Sequence, residues 1–152
     1  RSRRQRQMCI RDRPYRPGTL KAVALDKSGN ALGETTLQTA GQKTRLHLSP
    51  EKTTLRADGQ SLCFIPITLT DAAGIWKPCA NAKFHLEIEG PAVLQALGSA
   101  ATQTDETYLG SSHTTWLGRA LAVIRAGTEP GKVRVTVTAE GYEPQYVDLT
   151  AE

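Results

Sequence analysis

The chain has 152 residues, 39% hydrophobic and 22% charged, with 19 Lys and Arg against 15 Asp and Glu for a formal net charge of +4. No apolar run reaches the length of a membrane-spanning helix. The basic excess is confined to residues 1–13, which hold six Arg and one Asp; beyond them 13 basic residues face 14 acidic ones, scattered, so no basic face for nucleic acid remains.

In chain order, residues 3–13 (R-R-Q-R-Q-M-C-I-R-D-R) read as the translation of CGT CGG CAG CGT CAG ATG TGT ATA AGA GAC AGR, which resembles the transposase-end adapter used in sequencing libraries. Residues 1–13 are therefore expected to be adapter-derived and disordered, because a stretch never selected with a fold has no apolar stripe to bury. Cys9 leaves with them. Cys63 and Cys79 remain, open to a bridge in an oxidising compartment or, the favoured reading, to a Cys63 that is simply a small core residue.

Residues 14–41 spell a short module. Pro14-Tyr15-Arg16-Pro17-Gly18 opens a strand over Leu20–Leu25, Asp26-Lys27-Ser28-Gly29-Asn30 turns it, and Ala31–Thr39 returns. Two strands make no core of their own, so this orphan hairpin is expected to be the end of an upstream Ig-like β-sandwich, with a linker around Ala40-Gly41. One of its faces should then stay exposed, and it should give no strand to the sheets that begin at Arg45.

Residues 42–152 carry the rest as one domain. Arg45–Leu48 and Thr53–Arg56 read as halves of one strand interrupted at Pro50. In Leu62–Thr70, Cys63, Ile65, Ile67 and Leu69 alternate with Phe64, Pro66, Thr68 and Thr70, and turn residues stand on either side at Ala57-Asp58-Gly59 and Asp71–Gly74. Lys83–Glu89 is the cleanest alternation, with Phe84, Leu86 and Ile88 inward. Val93–Leu97, a polar run from Gly98 to Gly118, Arg119–Arg125, Lys132–Ala139 and Tyr146–Thr150 follow. About seven short strands with turns between them and no helical period predict an all-β, Ig-like antiparallel β-sandwich.

The string L-x-A-D-G-x-S-L-x-F-I-x-I-x-L-x-D-x-x-G followed by F-H-L-E-I-E-G resembles invasin/intimin-type bacterial Ig-like domains. Combined with P-Y-R-P-G-T-L-K-A-V-A-L-D-K-S-G upstream, and with G-S-A-A-T-Q-T-D-E-T-Y and G-R-A-L-A-V-I-R-A-G downstream, it resembles the C-terminal β-sandwich region of glycoside hydrolase family 2 enzymes of the β-galactosidase type. The resemblance covers essentially everything after Arg13. It implies a retaining parent glycosidase with two catalytic glutamates on a (β/α)₈ barrel. Its implied partners are the other domains of the same polypeptide: the catalytic barrel and a preceding β-sandwich. The residues leave export undecided, with a bacterial, periplasmic or extracellular setting the favoured one.

None of that barrel is spelled by these residues, so no catalytic residue is expected. Asp105-Glu106 are neighbours whose side chains point apart, and they read as solvated loop acids. His47, His85 and His113 have no Cys, Asp or His at ligand spacing, so neither a metal site nor a cofactor is expected. The candidate carbohydrate-contact residues are Tyr108, His113 and Trp116, within the long Gly98–Gly118 segment. Both aromatics are also open to the simpler reading that they cover one end of the sandwich. Trp76 has the same readings, with packing on a neighbouring domain as a third. The leading function is a non-catalytic structural module of a larger glycosidase; an adhesion repeat and a glycan-binding module are the alternatives.

Overall fold

The computed structural model describes residues 15–152, so the expectation for residues 1–13 lies outside the described residues. Chain contacts divide into two units, Arg1–Thr39 and Ala40–Glu152.

In the first unit, β1 (Thr19–Leu25) and β2 (Ala31–Gln38) pair antiparallel as a two-stranded sheet of their own. The turn is built by Asp26, whose Oδ1 accepts the Ser28 and Asn30 N–H groups at 2.8 Å and whose Oδ2 accepts the Asn30 amide at 2.9 Å, with Gly29 at φ +87°. Cross-strand register puts Leu20 opposite Leu37 and Ala22 opposite Thr35 on one face, while Lys21, Val23, Glu34 and Thr36 share the other. Leu20, Leu25, Leu32 and Leu37 are all exposed.

The second unit is an antiparallel sandwich. β3 (Arg45–Leu48), β5 (Leu62–Thr70), β9 (Arg119–Ala126) and β7 (Ala92–Gly98) form one sheet in the order β3-β5-β9-β7. The other sheet runs β4-β11-β10-β6-β8, from β4 (Thr54–Leu55), β11 (Gln145–Ala151), β10 (Gly131–Ala139), β6 (Lys83–Glu89) and β8 (Ser112–Thr114). Its only parallel pair among the described residues is β4–β11. Cys63, Ile65, Ile67 and Leu69 from the first sheet meet Phe84, Leu86, Val133, Val135 and Val137 from the second, all buried, while Glu87 and Glu89 stay outside. A one-residue slip of β6 would reverse that arrangement. Cys63 and Cys79 are free thiols, Cys63 buried and Cys79 exposed, and burial pushes the Cys63 thiol pKa up.

Two details differ from the sequence reading. The pieces around Pro50 belong to different sheets: the Ser49 and Glu51 N–H groups still bond the Pro66 and Phe64 carbonyls at 3.1 Å, after which the chain crosses to run beside β11. The segment from Gly98 to Gly118 also contains β8, on the edge of β6. Its only inward side chain is a histidine, so hydrophobic alternation cannot reveal it.

Two acids bracket β5. Asp58 Oδ1 accepts the Gln60 and Ser61 N–H groups at 2.9 and 2.7 Å. Asp71, only 7% exposed, accepts from Gly41 N at 2.7 Å, Ala73 N at 2.8 Å and Ile75 N at 2.9 Å. Lys77 Nζ completes the clamp by donating to the Gly41 and Gln42 carbonyls at 2.8 and 2.7 Å. The Gly41 and Ile75 N–H groups, against the opposing effect of burial, hold the Asp71 carboxyl below its ordinary 3.8. The stabilisation is therefore complete above that value and is lost as pH falls through the lower folded-state pKa. The stability gap between the unaltered chain and Asp71→Asn is expected to be widest near neutrality and to shrink below pH 3.8. Denaturant melts across pH test this, and a gap independent of pH would contradict it.

Candidate functional site

The long segment after β7 folds back on the sandwich through Glu106, Tyr108 and His113. Both Glu106 carboxylate oxygens are engaged by Thr114, Oε2 accepting its N–H and Oε1 its hydroxyl, each at 2.8 Å. Burial pushes the Glu106 carboxyl up, but these two hydrogen bonds, with His113 and Lys83 nearby, hold it below its ordinary 4.5. The reading of Asp105-Glu106 as solvated acids thus holds for exposed Asp105 and is corrected for Glu106, which ties the loop to β8.

His113 is fully buried. Its Nδ1 lies 3.0 Å from the Thr114 carbonyl and 3.2 Å from Glu106 Oε2. Both neighbours accept, so Nδ1 carries the proton; Nε2 is buried without a partner. The imidazole stacks under Tyr108, with centroids 5.8 Å apart and an interplanar angle of 23°. Tyr108 in turn lies over Gly98, where a Cβ would collide with its ring, and its carbonyl accepts from Leu97 N at 2.8 Å. Of the three candidate contact residues, Tyr108 and Trp116 present ring surface, 50% and 44% exposed, whereas His113 has no surface and serves as the floor beneath Tyr108.

Trp116 begins a two-residue turn closed by Trp116 N to Arg119 O at 2.8 Å and Arg119 N to Trp116 O at 3.0 Å. Leu117 at φ +50° and Gly118 at φ +69° both take left-handed backbone, as a type I′ turn demands, and a leucine there is uncommon. The turn is held by Trp76 Nε1 donating to the Leu117 carbonyl at 2.9 Å and by Leu69 N donating to the Gly118 carbonyl at 2.8 Å. The Arg119 guanidinium stacks 3.7 Å over the Trp76 ring.

Between Tyr108 and β9 lies an open groove of about 420 Å³, lined mainly by Ala96, Gly98, Ala100, Leu121 and Val123, with Ser99, Tyr108 and Arg119 as its polar members. Trp116 is not part of the lining. Sequence reasoning did not assign a role to Arg119, Leu121 or Val123; the available signal was that the outward positions of β5 and β9 include Phe64, Leu121 and Val123 where alternation calls for polar residues.

Among the described residues no group of three or more His, Cys, Asp or Glu is arranged to hold a metal. In the long loop, the Glu106 carboxylate is spent on Thr114 and His113. Fold and surface together define a β-sandwich module of the Ig-like class, its long loop braced by a buried histidine. Residues 46–148 match the model of the glycoside hydrolase family 2 C-terminal domain 5, and the chain belongs to that family.

Over 138 residues the chain is 28% identical to beta-galactosidase BoGH2A of Bacteroides ovatus, a match covering 91% of this chain and 16% of the relative. A glycosyl hydrolase family 2 member from Bacteroides cellulosilyticus superposes with a TM-score of 0.87 at 33% identity, over 91% of this chain and 18% of that one. The D00-D0 domain of intimin shares the fold, at a TM-score of 0.53 and 23% identity over 89% of this chain and 65% of that one. The chain thus spans about a sixth of the length of its glycoside hydrolase relatives, in which the matching region sits with other domains in one polypeptide.

Proposed function

We propose that this chain is a non-catalytic accessory module of a longer glycoside hydrolase of the β-galactosidase type, acting by packing against the other domains of its polypeptide. The observation that carries the reading is the sixth-length match to β-galactosidase-type and family 2 relatives. The engagement of Glu106 by Thr114 supports it, since a glycosidase acid or nucleophile must be free to meet substrate. In this reading residues 42–152 are the module, and residues 14–41 are the terminal hairpin and linker of a preceding β-sandwich. The exposed leucines of β1 and β2 then belong against strands of that domain.

The test is to read the genomic frame upstream of Pro14 and express its product. An in-frame barrel with two catalytic glutamates is expected, and tandem copies of the same sandwich would put an adhesion repeat in its place. The exposed rings of Tyr108 and Trp116 favour carbohydrate contact as a second reading. Glycan-array binding by the 152-residue chain, lost in Tyr108→Ala, would support it.

A further inference from the structure

The two outer faces of the sandwich are chemically unlike. On the β6–β10–β11 sheet the outward residues are polar: Arg134 forks onto Asp148 at 2.7 and 3.0 Å and stacks over Tyr146 at 4.5 Å, with Glu87 and Thr136 beside them. That face needs nothing but water. On the β5–β9–β7 sheet the two central outward rows are Pro66–Leu121–Gly98 and Phe64–Val123–Ala96, flanked by the rows Thr68–Arg119 and Leu62–Arg125–Val93. Phe64 and Leu121 remain 38% and 40% exposed.

The apolar rows run without a break into the groove floored by Leu121 and Val123 and walled by Tyr108. At the groove's end stands Arg119 on Trp76, and past it Leu117, half-exposed at φ +50°. Exposed Trp, Tyr and Arg around an apolar centre are the composition of an interface core. A solvent-facing leucine held in left-handed backbone, where Asn or Gly would be relaxed, is local strain in the turn that leads into β9.

From this asymmetry we infer that the outer face of the β5–β9–β7 sheet is the surface by which the module docks on another domain of the same polypeptide, with apolar side chains of that domain seated in the groove beside Tyr108. The inference rests on the accessory-module reading and specifies its surface. The groove chemistry selects protein over sugar: its lining is mostly Ala, Gly, Leu and Val, and a glycan there would lose water from hydroxyls that find few partners. The length of the relatives selects a tethered domain over a second copy. This region is 16% of one relative and 18% of another, so most of such a chain is held beside it at roughly millimolar effective concentration.

Hydroxyl-radical footprinting of the full polypeptide from the longer reading frame, against the 152-residue chain at low concentration, tests it. Labelling of Phe64, Leu121, Trp76 and Tyr108 is expected to fall several-fold in the full polypeptide, with Tyr146 on the opposite face unchanged. Leu121→Glu should restore labelling of Phe64 there, while leaving the melting midpoint of the 152-residue chain unaltered. Protection of Tyr146 with Phe64 and Leu121 still labelled would overturn the face assignment and leave the accessory-module reading standing. A frame with no further domains would remove both. Protection that appears in the 152-residue chain as it is concentrated, and disappears in Leu121→Glu, would make a second copy the occupant and overturn the inference.

Discussion

Replacing Phe84 by Ala is expected to destabilise the sandwich by about 3 to 5 kcal/mol. Phe84 is the largest of the fully buried side chains, in β6 between Ala139 of β10 and His113 of β8. Truncation removes the ring and leaves a void between two sheets that relax only partly, because backbone pairing on both sides of β6 fixes their spacing. The loss is a large share of the roughly 5 to 15 kcal/mol that a domain has in total. It also strips one wall from His113, so the loop carrying Tyr108 should loosen with it. Phe64→Ala is the matched control, the same truncation on the outer face of β5, and should cost less than half as much. Denaturant melts of both variants measure the difference, and equal costs would mean that the β6 face has been misassigned.

The second large effect is at Gly118. At φ +69° an alanine carries the left-handed penalty of about 1 to 2 kcal/mol. Its Cβ would also stand 2.5 Å from the Lys77 carbonyl and 3.3 Å from that of Ala80, backbone atoms that cannot swing aside like the end of a side chain. Moving them disturbs the Gly118 carbonyl bond to Leu69 and the Leu117 carbonyl bond to Trp76. The total for Gly118→Ala is expected to be about 2 to 5 kcal/mol, the overpacking share being about 1 to 3. Gly74→Ala separates the two components, because Gly74 has φ +81° and nothing within 4 Å of the added methyl. It should show the left-handed penalty alone, about 1 to 2 kcal/mol. Thermal melts that rank Gly74→Ala at or above Gly118→Ala would contradict the packed turn.

What could be read from the residues follows the strength of period 2. Phe84, Leu86 and Ile88 against His85, Glu87 and Glu89 leave one register that keeps charge out of the core, and β6 occupies it. β8 offered no such pattern, because one inward His113 between Ser112 and Thr114 is indistinguishable from a polar loop until its neighbours close over it. The jump from β3 to β4 was hidden for a different reason. Alternation tells which side chains face inward, and both sheets of a sandwich have an inward side.

The acids show the same limit. Asp58 and Asp71 were legible as turn residues from the next few positions, but the Asp71 bond to Gly41 spans 30 residues and has no local signature. Glu106 looked solvated because its partner Thr114 lies eight residues on, within a strand that the pattern did not reveal. The groove was missed because its floor is made by outward residues of β9 and β7, whose adjacency is a fact of topology.

A non-catalytic module has no acid and nucleophile of its own to cleave a glycoside. Turnover of an aryl β-galactoside by the purified 152-residue chain, followed beside the product of the longer reading frame, is the direct measurement. No hydrolysis above the uncatalysed background is expected from the chain, with activity in the longer product. Turnover by the chain alone, abolished in Glu106→Gln or Asp105→Asn, would contradict it.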